Sequence, residues 1–550
     1  MDKKKGFLNV TVSILFKIVL LIANLLVRRY LIRYIGNEIN GLNSLYISVL
    51  DFLSVAELGV GSAIAFCMYK PIVEGQIDRV SALYWLFTKL YLIIGGIIAI
   101  AGCAVMPLLP ILAKDFTDLD VNLYLTFGLM LISVVLSYTF SSKTSLINAY
   151  KNNYISTAIS SLGQLLQCVS QIVVLVLTGS FVWFLGCRIV SIILQWIATE
   201  IVARKKYATV ITNKQRVDIE TKREVTKNIK AMFMHKIGGV LVNAADSLII
   251  SGFIGVLILG KYSNYSTIAI ALFGVLTLCF TPLTSVIGHM YVQEDKAQVK
   301  RYFNFFHAFN FALGTIFFLG YYAVIDNLVT ILFDDGLELA KTISFVITLN
   351  YFIQFMTQSV RLFKDATGTF YNDRWKSVIE GIVNIVLSIL FVVVFPEEYN
   401  VVGVIVATII TYLFICHIVE PHVLYKYAIR CSAKEYYLRN YIYIIIFTAI
   451  LAGMHFCLIS NENQWMELFA NGGISLAFSL TISAVVALTN KDFRHYSLSF
   501  LRRLKSRGKR SVSASTDISI STNNTFEVHS DNEMMDKVSE GDRENDDSDN

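Results

Sequence analysis

Long apolar segments recur along this whole chain, about fourteen of them, and they leave it almost no choice of solvent. An α-helix needs about 20 apolar residues to cross the hydrocarbon core of a bilayer. The pattern predicts spans over residues 7–27, 42–68, 83–109, 121–140, 154–177 and 181–202. A second set follows over 229–253, 262–286, 303–332, 340–362, 378–395 and 401–422, with a last pair over 441–460 and 466–488. Segments of this length exclude a β-barrel, whose strands are about ten residues with alternating faces. With 55% hydrophobic and 16% charged residues, against about 25% charged in soluble domains, the 550-residue chain cannot hide its apolar surface in water. The expected fold class is all-α, a polytopic membrane protein of about fourteen transmembrane helices.

The apolar pattern is also duplicated. Residues 14–207 recur over 233–427 at an offset of about 220 residues, the mark of a transporter built from two similar halves. Lys17 and Asn24 recur as Lys236 and Asn243, and Ile35-Gly36 recurs as Ile254-Gly255. Further on the register drifts, so that Asn152 to Ser156 falls opposite Asp373 to Ser377. Six spans per repeat give both halves the same orientation, related by an axis along the membrane normal. The expected organisation is an N-terminal lobe (1–203), a basic cytoplasmic linker (204–228) and a C-terminal lobe (229–437). Helices 13 and 14 (438–490), a basic amphipathic segment (491–510) and a disordered acidic tail (511–550) complete it.

Loop charges set the orientation. Lys70, Arg79, Lys143, Lys151, the cluster from Arg204 to Lys230, Lys296, Lys300, Arg301, Lys364, Arg374, Lys376, Lys426, Arg430, Lys434 and Arg439 all fall in alternate loops. The positive-inside rule then places both termini in the cytoplasm. Membrane topology accounts for the net charge of +6 without nucleic acid. Lys3-Lys4-Lys5 precedes an apolar run with no small-x-small site after it, so a cleaved signal is not expected. The eight cysteines show no paired spacing, and Pro421 interrupts His417, Glu420 and His422 as a metal motif. No nucleotide loop or nucleophile elbow occurs, and neither a cofactor nor a catalytic residue is expected.

Charges inside the spans carry the functional expectation, because an ionisable group at membrane depth costs at least about 2.5 to 3.5 kcal/mol on insertion scales. Lys17, Asn24 and Arg28 are spaced seven and four apart, on one face of the first helix. Lys236, Asn243 and Asp246 form a similar stripe on the seventh. If both helices line a central cavity, Lys17, Asn24, Arg28, Lys236 and Asn243 form a cationic site for an anionic head group. Arg29, Lys89 and Arg188 are further candidates for it. The competing reading has Lys17 and Lys236 snorkelling to the cytoplasmic interface. Asp51, Glu57, Asp246 and Glu380 are the acidic candidates, for a coupling ion, for charge balance or for helix ends.

The residues Arg33-Tyr34-Ile35-Gly36, Gly41 to Tyr46, Ala56 to Ala63 and Asn148 to Ile155 resemble the polysaccharide flippases of the multidrug/oligosaccharidyl-lipid/polysaccharide exporter superfamily. The resemblance extends over about residues 7–490. It implies movement of an undecaprenyl-pyrophosphate-linked oligosaccharide from the inner to the outer leaflet of a bacterial plasma membrane, for capsule, exopolysaccharide or O-antigen assembly. Its implied partners are that substrate, the phospholipid bilayer and other polysaccharide-assembly proteins. Family members vary widely, so it transfers no residue set; Lys17 and Lys236 rest on position alone. A proton- or sodium-coupled organic-cation antiporter of the same superfamily would favour acidic cavity residues. A membrane-bound glycan polymerase or transferase would need catalytic residues on a large outer loop, and the outer loops here are short.

Overall fold

In the computed structural model, residues 3–57, 60–115, 121–219, 244–280, 283–373 and 375–497 are described, with isolated positions between 221 and 242 and Ser499. Among the described residues every regular element is helical. The first half comprises α1 (Lys3–Ile35), α2 (Asn37–Leu53), α3 (Val60–Val73), α4 (Ile77–Val105), α5 (Leu123–Ala149), α6 (Asn153–Thr178) and α7 (Phe181–Thr212). The second half comprises α8 (Val256–Phe280), α9 (Leu283–Gln293), α10 (Lys296–Phe333), α11 (Lys341–Met356), α12 (Gln358–Thr367), α13 (Lys376–Val394) and α14 (Asn400–Thr411). Helix α14 continues through a π-helical turn, Tyr412–Cys416, towards Ile429. Two further helices, α15 (Lys434–His455) and α16 (Gln464–Thr489), follow.

Ten helices among the described residues are long and apolar enough to cross a membrane, fewer than the fourteen expected. The difference has a local cause. The second expected span breaks into α2 and α3 around a 3-10 turn at Ser54–Glu57, and the tenth breaks at Thr357 between α11 and α12. The seventh lies mostly outside the described residues, which leave a short apolar helix over Ala244–Ile254, and the first, within α1, carries Lys17, Arg28, Arg29 and Arg33 and is not among the ten. Outside them as well lie Lys236, Asn243, the basic segment beyond Ser499 and the tail 511–550. Helix α7 runs to Thr212, past the expected start of the linker, with a non-helical residue at Tyr207.

Within the compact unit Met1–Phe493, α1 packs on α6, while α5, α6 and α7 pack on one another and α4 on α5. In the second half α10 packs between α11 and α16, and α13 packs on α14. Helix α2 packs against α8, and this contact joins the two halves. The repeated Ile-Gly pair sits here. Gly36 has φ 111° and ψ 162°, and Gly255 has φ 140° and ψ 160°. This backbone region is essentially closed to residues with a Cβ, so each glycine turns the chain sharply into α2 or α8. The matched conformations give the sequence repeat a physical basis at this position.

Five residues beyond each turn, α2 and α8 cross at glycines. A Cβ on Gly41 would stand 2.0 Å from the Val256 carbonyl oxygen, and one on Gly260 would stand 2.4 Å from the Asn37 carbonyl oxygen. Around the crossing, Asn37 Nδ2 donates to Leu257 O (3.1 Å). Asn40 Nδ2 donates to Gly260 O (3.3 Å) and to Asn264 Oδ1 (3.0 Å). Nearby, Arg29 Nη1 donates to Ile331 O, Lys114 Nζ to Phe253 O, and Val256 N to Lys114 O. These bonds form a polar clasp between the halves at the end where α1 finishes. Small residues and hydrogen bonds of this kind drive helix association where the hydrophobic effect cannot.

A cationic cavity as the candidate functional site

Beside the clasp lies a cavity of about 500 Å³. Helix α1 supplies Lys17, Asn24 and Arg28, α2 supplies Asn40 and Asn43, α6 supplies Gln167 and Gln171, α7 supplies Arg188 and α8 supplies Thr267. Leu20, Leu21, Phe184 and Ile270 are among its apolar walls. The spacing of seven and four residues puts Lys17, Asn24 and Arg28 on the same face of α1, as the sequence pattern requires. No carboxylate is among the described residues that line the cavity. Three cations and five side-chain amides therefore face one space.

The cations are held differently. Arg28 reaches across to the second half, where its Nη1 donates to Ser263 Oγ (2.8 Å) and Asn264 Oδ1 (3.0 Å). Asn264 is shared, since its Oδ1 also accepts from Asn40. Arg188 is half-buried and is influenced electrostatically by Asp51 of α2. Lys17 is exposed to the cavity, about 21 Å along the helix from Lys3. The amides are partly committed: Asn24 Nδ2 donates to Leu20 O (2.8 Å) and Gln171 Nε2 to Phe184 O (3.2 Å). Such a wall offers donors and full positive charges to an oxyanion, with apolar surface beside them.

The remaining sequence candidates fall elsewhere. Lys89 is exposed on α4 and Arg29 binds a backbone carbonyl, and neither lines the cavity. Asp51 is exposed near the end of α2. Glu57 lies in the 3-10 turn and interacts with Tyr91 and Tyr138. Asp246 is buried, and both its carboxylate oxygens accept from Thr408 Oγ1 at 3.1 Å. Asn384 Nδ2 donates to the same hydroxyl (2.9 Å), while Asn384 Oδ1 and Ser388 Oγ find no partner among the described residues. Glu380 is also buried, paired with Lys376 (2.7 Å), which pairs in turn with Glu420 (2.6 Å). Arg361 approaches Glu420 at 3.5 Å, and Lys364 pairs with Asp373. The His417 ring, considered as a metal ligand, is held by Ile353 O and Asn440 instead.

Sequence reasoning did not single out Asn40, Asn43, Gln167 and Gln171. The signal available was Gln167 and Gln171 four apart in an otherwise apolar segment, which places two amides on one helix face.

No family model matches the sequence, and no curated protein does. Solved structures do resemble the fold. The lipid II flippase MurJ in an inward closed conformation superposes with a TM-score of 0.61 at 13% identity, over 88% of this chain and 99% of that one. An inward-facing multidrug resistance MATE family transporter of the MOP superfamily superposes with a TM-score of 0.53 at 13% identity, over 74% and 97%. The Vibrio cholerae MATE transporter VcmN gives 0.51 at 12% identity, over 78% and 98%. The chain thus has the helical membrane fold seen in MurJ and in these MATE transporters.

Proposed function

We propose that this protein is a flippase that carries an undecaprenyl-pyrophosphate-linked oligosaccharide from the inner to the outer leaflet of a bacterial plasma membrane. One observation carries the reading: Lys17, Arg28 and Arg188 line a single cavity without a carboxylate among them. A pyrophosphate needs positive charge and hydrogen-bond donors, and the cavity offers both. The polyprenyl tail needs neither and stays in lipid, so the protein has only to shelter the polar head. The likeness to a lipid II flippase supports the same substrate chemistry at the level of fold. An organic-cation antiporter would be poorly served by these side chains.

On the orientation drawn from the loop charges, the clasp between α2 and α8 closes the outer side, and the cavity loads from the cytoplasmic leaflet. Alternating access is then a rocking of residues 1–203 against 229–437 that opens the clasp. Asp246 is the coupling residue in this scheme. Its buried carboxylate has no ion-pair partner among the described residues, and Asn384 Oδ1 and Ser388 Oγ remain free for a bound cation or water. Glu380 serves charge balance beside Lys376.

Purified protein in nanodiscs should bind fluorescent polyprenyl pyrophosphate, and excess soluble pyrophosphate should displace it. Saturable binding of an organic cation, with none of the pyrophosphate lipid, would overturn the proposal.

A further inference from the structure

A second polar pocket lies between α5, α6 and α7, of about 280 Å³, and no charged side chain is among the described residues that line it. Thr144 and Asn148 of α5, Ser156 and Ser160 of α6, and Gln195 of α7 face it, with Phe140 as an aromatic wall. We infer that this pocket is a subsite for an uncharged sugar ring of the same lipid-linked substrate; the inference rests on the flippase reading above.

Its position ties it to the cationic cavity. On α6, Ser156, Ser160, Gln167 and Gln171 are spaced four, seven and four apart, and on α7 Arg188 and Gln195 are seven apart. These spacings keep each set on one face of its helix. The two pockets therefore share the same faces of α6 and α7, displaced by about 10 Å along the axes. That separation suits a pyrophosphate at one end and a sugar of the attached glycan at the other.

The polar groups are poised for a ligand. Ser160 Oγ donates to Thr157 O (3.1 Å) and Thr144 Oγ1 to Phe140 O (3.4 Å), which leaves their oxygen lone pairs free to accept. Asn148 Oδ1 accepts from Ser156, while no protein partner among the described residues takes Asn148 Nδ2 or Gln195 Oε1. Gln195 is fixed in place: its Nε2 donates to Ser191 Oγ (3.2 Å), and its side chain packs where Gly163 lacks a Cβ. Free amide donors, amide and hydroxyl acceptors and an aromatic face are what a sugar ring with several hydroxyls requires. A phosphate would find no charge here.

The test compares two fluorescent lipids on the full-length protein in nanodiscs, polyprenyl pyrophosphate with a neutral disaccharide and the same lipid without sugar. Thr144→Val removes one hydroxyl at constant shape, and Asn148→Ala removes the free amide. Each variant should weaken the disaccharide lipid by about three- to tenfold and leave the bare lipid unchanged. If Asn148→Ala fails to fold, Thr144→Val carries the comparison alone. Equal weakening of both lipids, or no change in either, would overturn the sugar subsite and leave the flippase reading standing. Failure of the wild type to bind either lipid would overturn both.

Discussion

Replacing Gly41 with alanine attacks the crossing of α2 and α8 directly. The new Cβ would meet the Val256 carbonyl oxygen at 2.0 Å, against 3.4 Å for the closest ordinary contact, so the backbones must part by about 1.4 Å. Asn37 to Leu257, Asn40 to Gly260 and Asn40 to Asn264 span the same crossing at 3.0 to 3.3 Å, and such a displacement takes all three beyond hydrogen-bonding range. At about 1 kcal/mol each, their loss weakens the clasp by about 3 kcal/mol. That corresponds to a roughly hundredfold shift from clasped to open. Spin labels at Tyr34 and Leu257, both exposed at this end, report the change as a longer distance by pulsed electron resonance, with the native cysteines replaced. Gly274→Ala, on the partner helix α8 of the crossing, is the control, because a Cβ there meets nothing within 4 Å. A Gly41→Ala distance distribution identical to that of the wild type would refute the reasoning, as would an equal shift in the control.

Three further outcomes are expected. Lys17→Gln and Arg188→Gln should each weaken binding of a pyrophosphate lipid by about ten- to a hundredfold, the worth of one charge-assisted hydrogen bond, in a direct titration. Glu420→Gln takes from Arg361 the carboxylate it approaches and leaves Lys376 with Glu380 alone, and thermal unfolding should show a loss of about 3 to 5 kcal/mol; unchanged stability would argue that the network is solvated. Asp246→Asn should leave lipid binding intact but abolish the dependence of transport on a proton or sodium gradient, measured by imposing each gradient on proteoliposomes.

Much of the architecture was legible in the sequence because two of its signals are one-dimensional. Apolar length gives helices, and a common offset gives the repeat, which the paired Gly36 and Gly255 turns reflect in matched backbone conformations. The stripe Lys17, Asn24, Arg28 was legible for the same reason, since helical spacing fixes a face. What spacing cannot supply is the partner. Asp246 and Glu380 read alike as acids within spans, yet Asp246 meets Thr408, 162 positions away, through tertiary packing, whereas the Glu380 partner Lys376 sits one turn earlier on the same helix, where spacing alone could have paired them. Lys376 and Glu420 pair across 44 positions of sequence with no local sign of it. The breaks at Ser54–Glu57 and Thr357 were missed because the apolar stretches on either side were joined across a few polar residues, Asp51, Ser54 and Glu57 at one and Thr357, Gln358 and Ser359 at the other.

Leaflet exchange of a fluorescent polyprenyl-pyrophosphate oligosaccharide in liposomes, wild type beside a Lys17→Gln, Arg188→Gln double variant, tests the central claim most directly. The account predicts exchange by the wild type and its loss in a double variant that remains folded. Exchange at the wild-type rate without those two cations, or a wild type that moves no such lipid while driving proton-linked efflux of an organic cation, would contradict it.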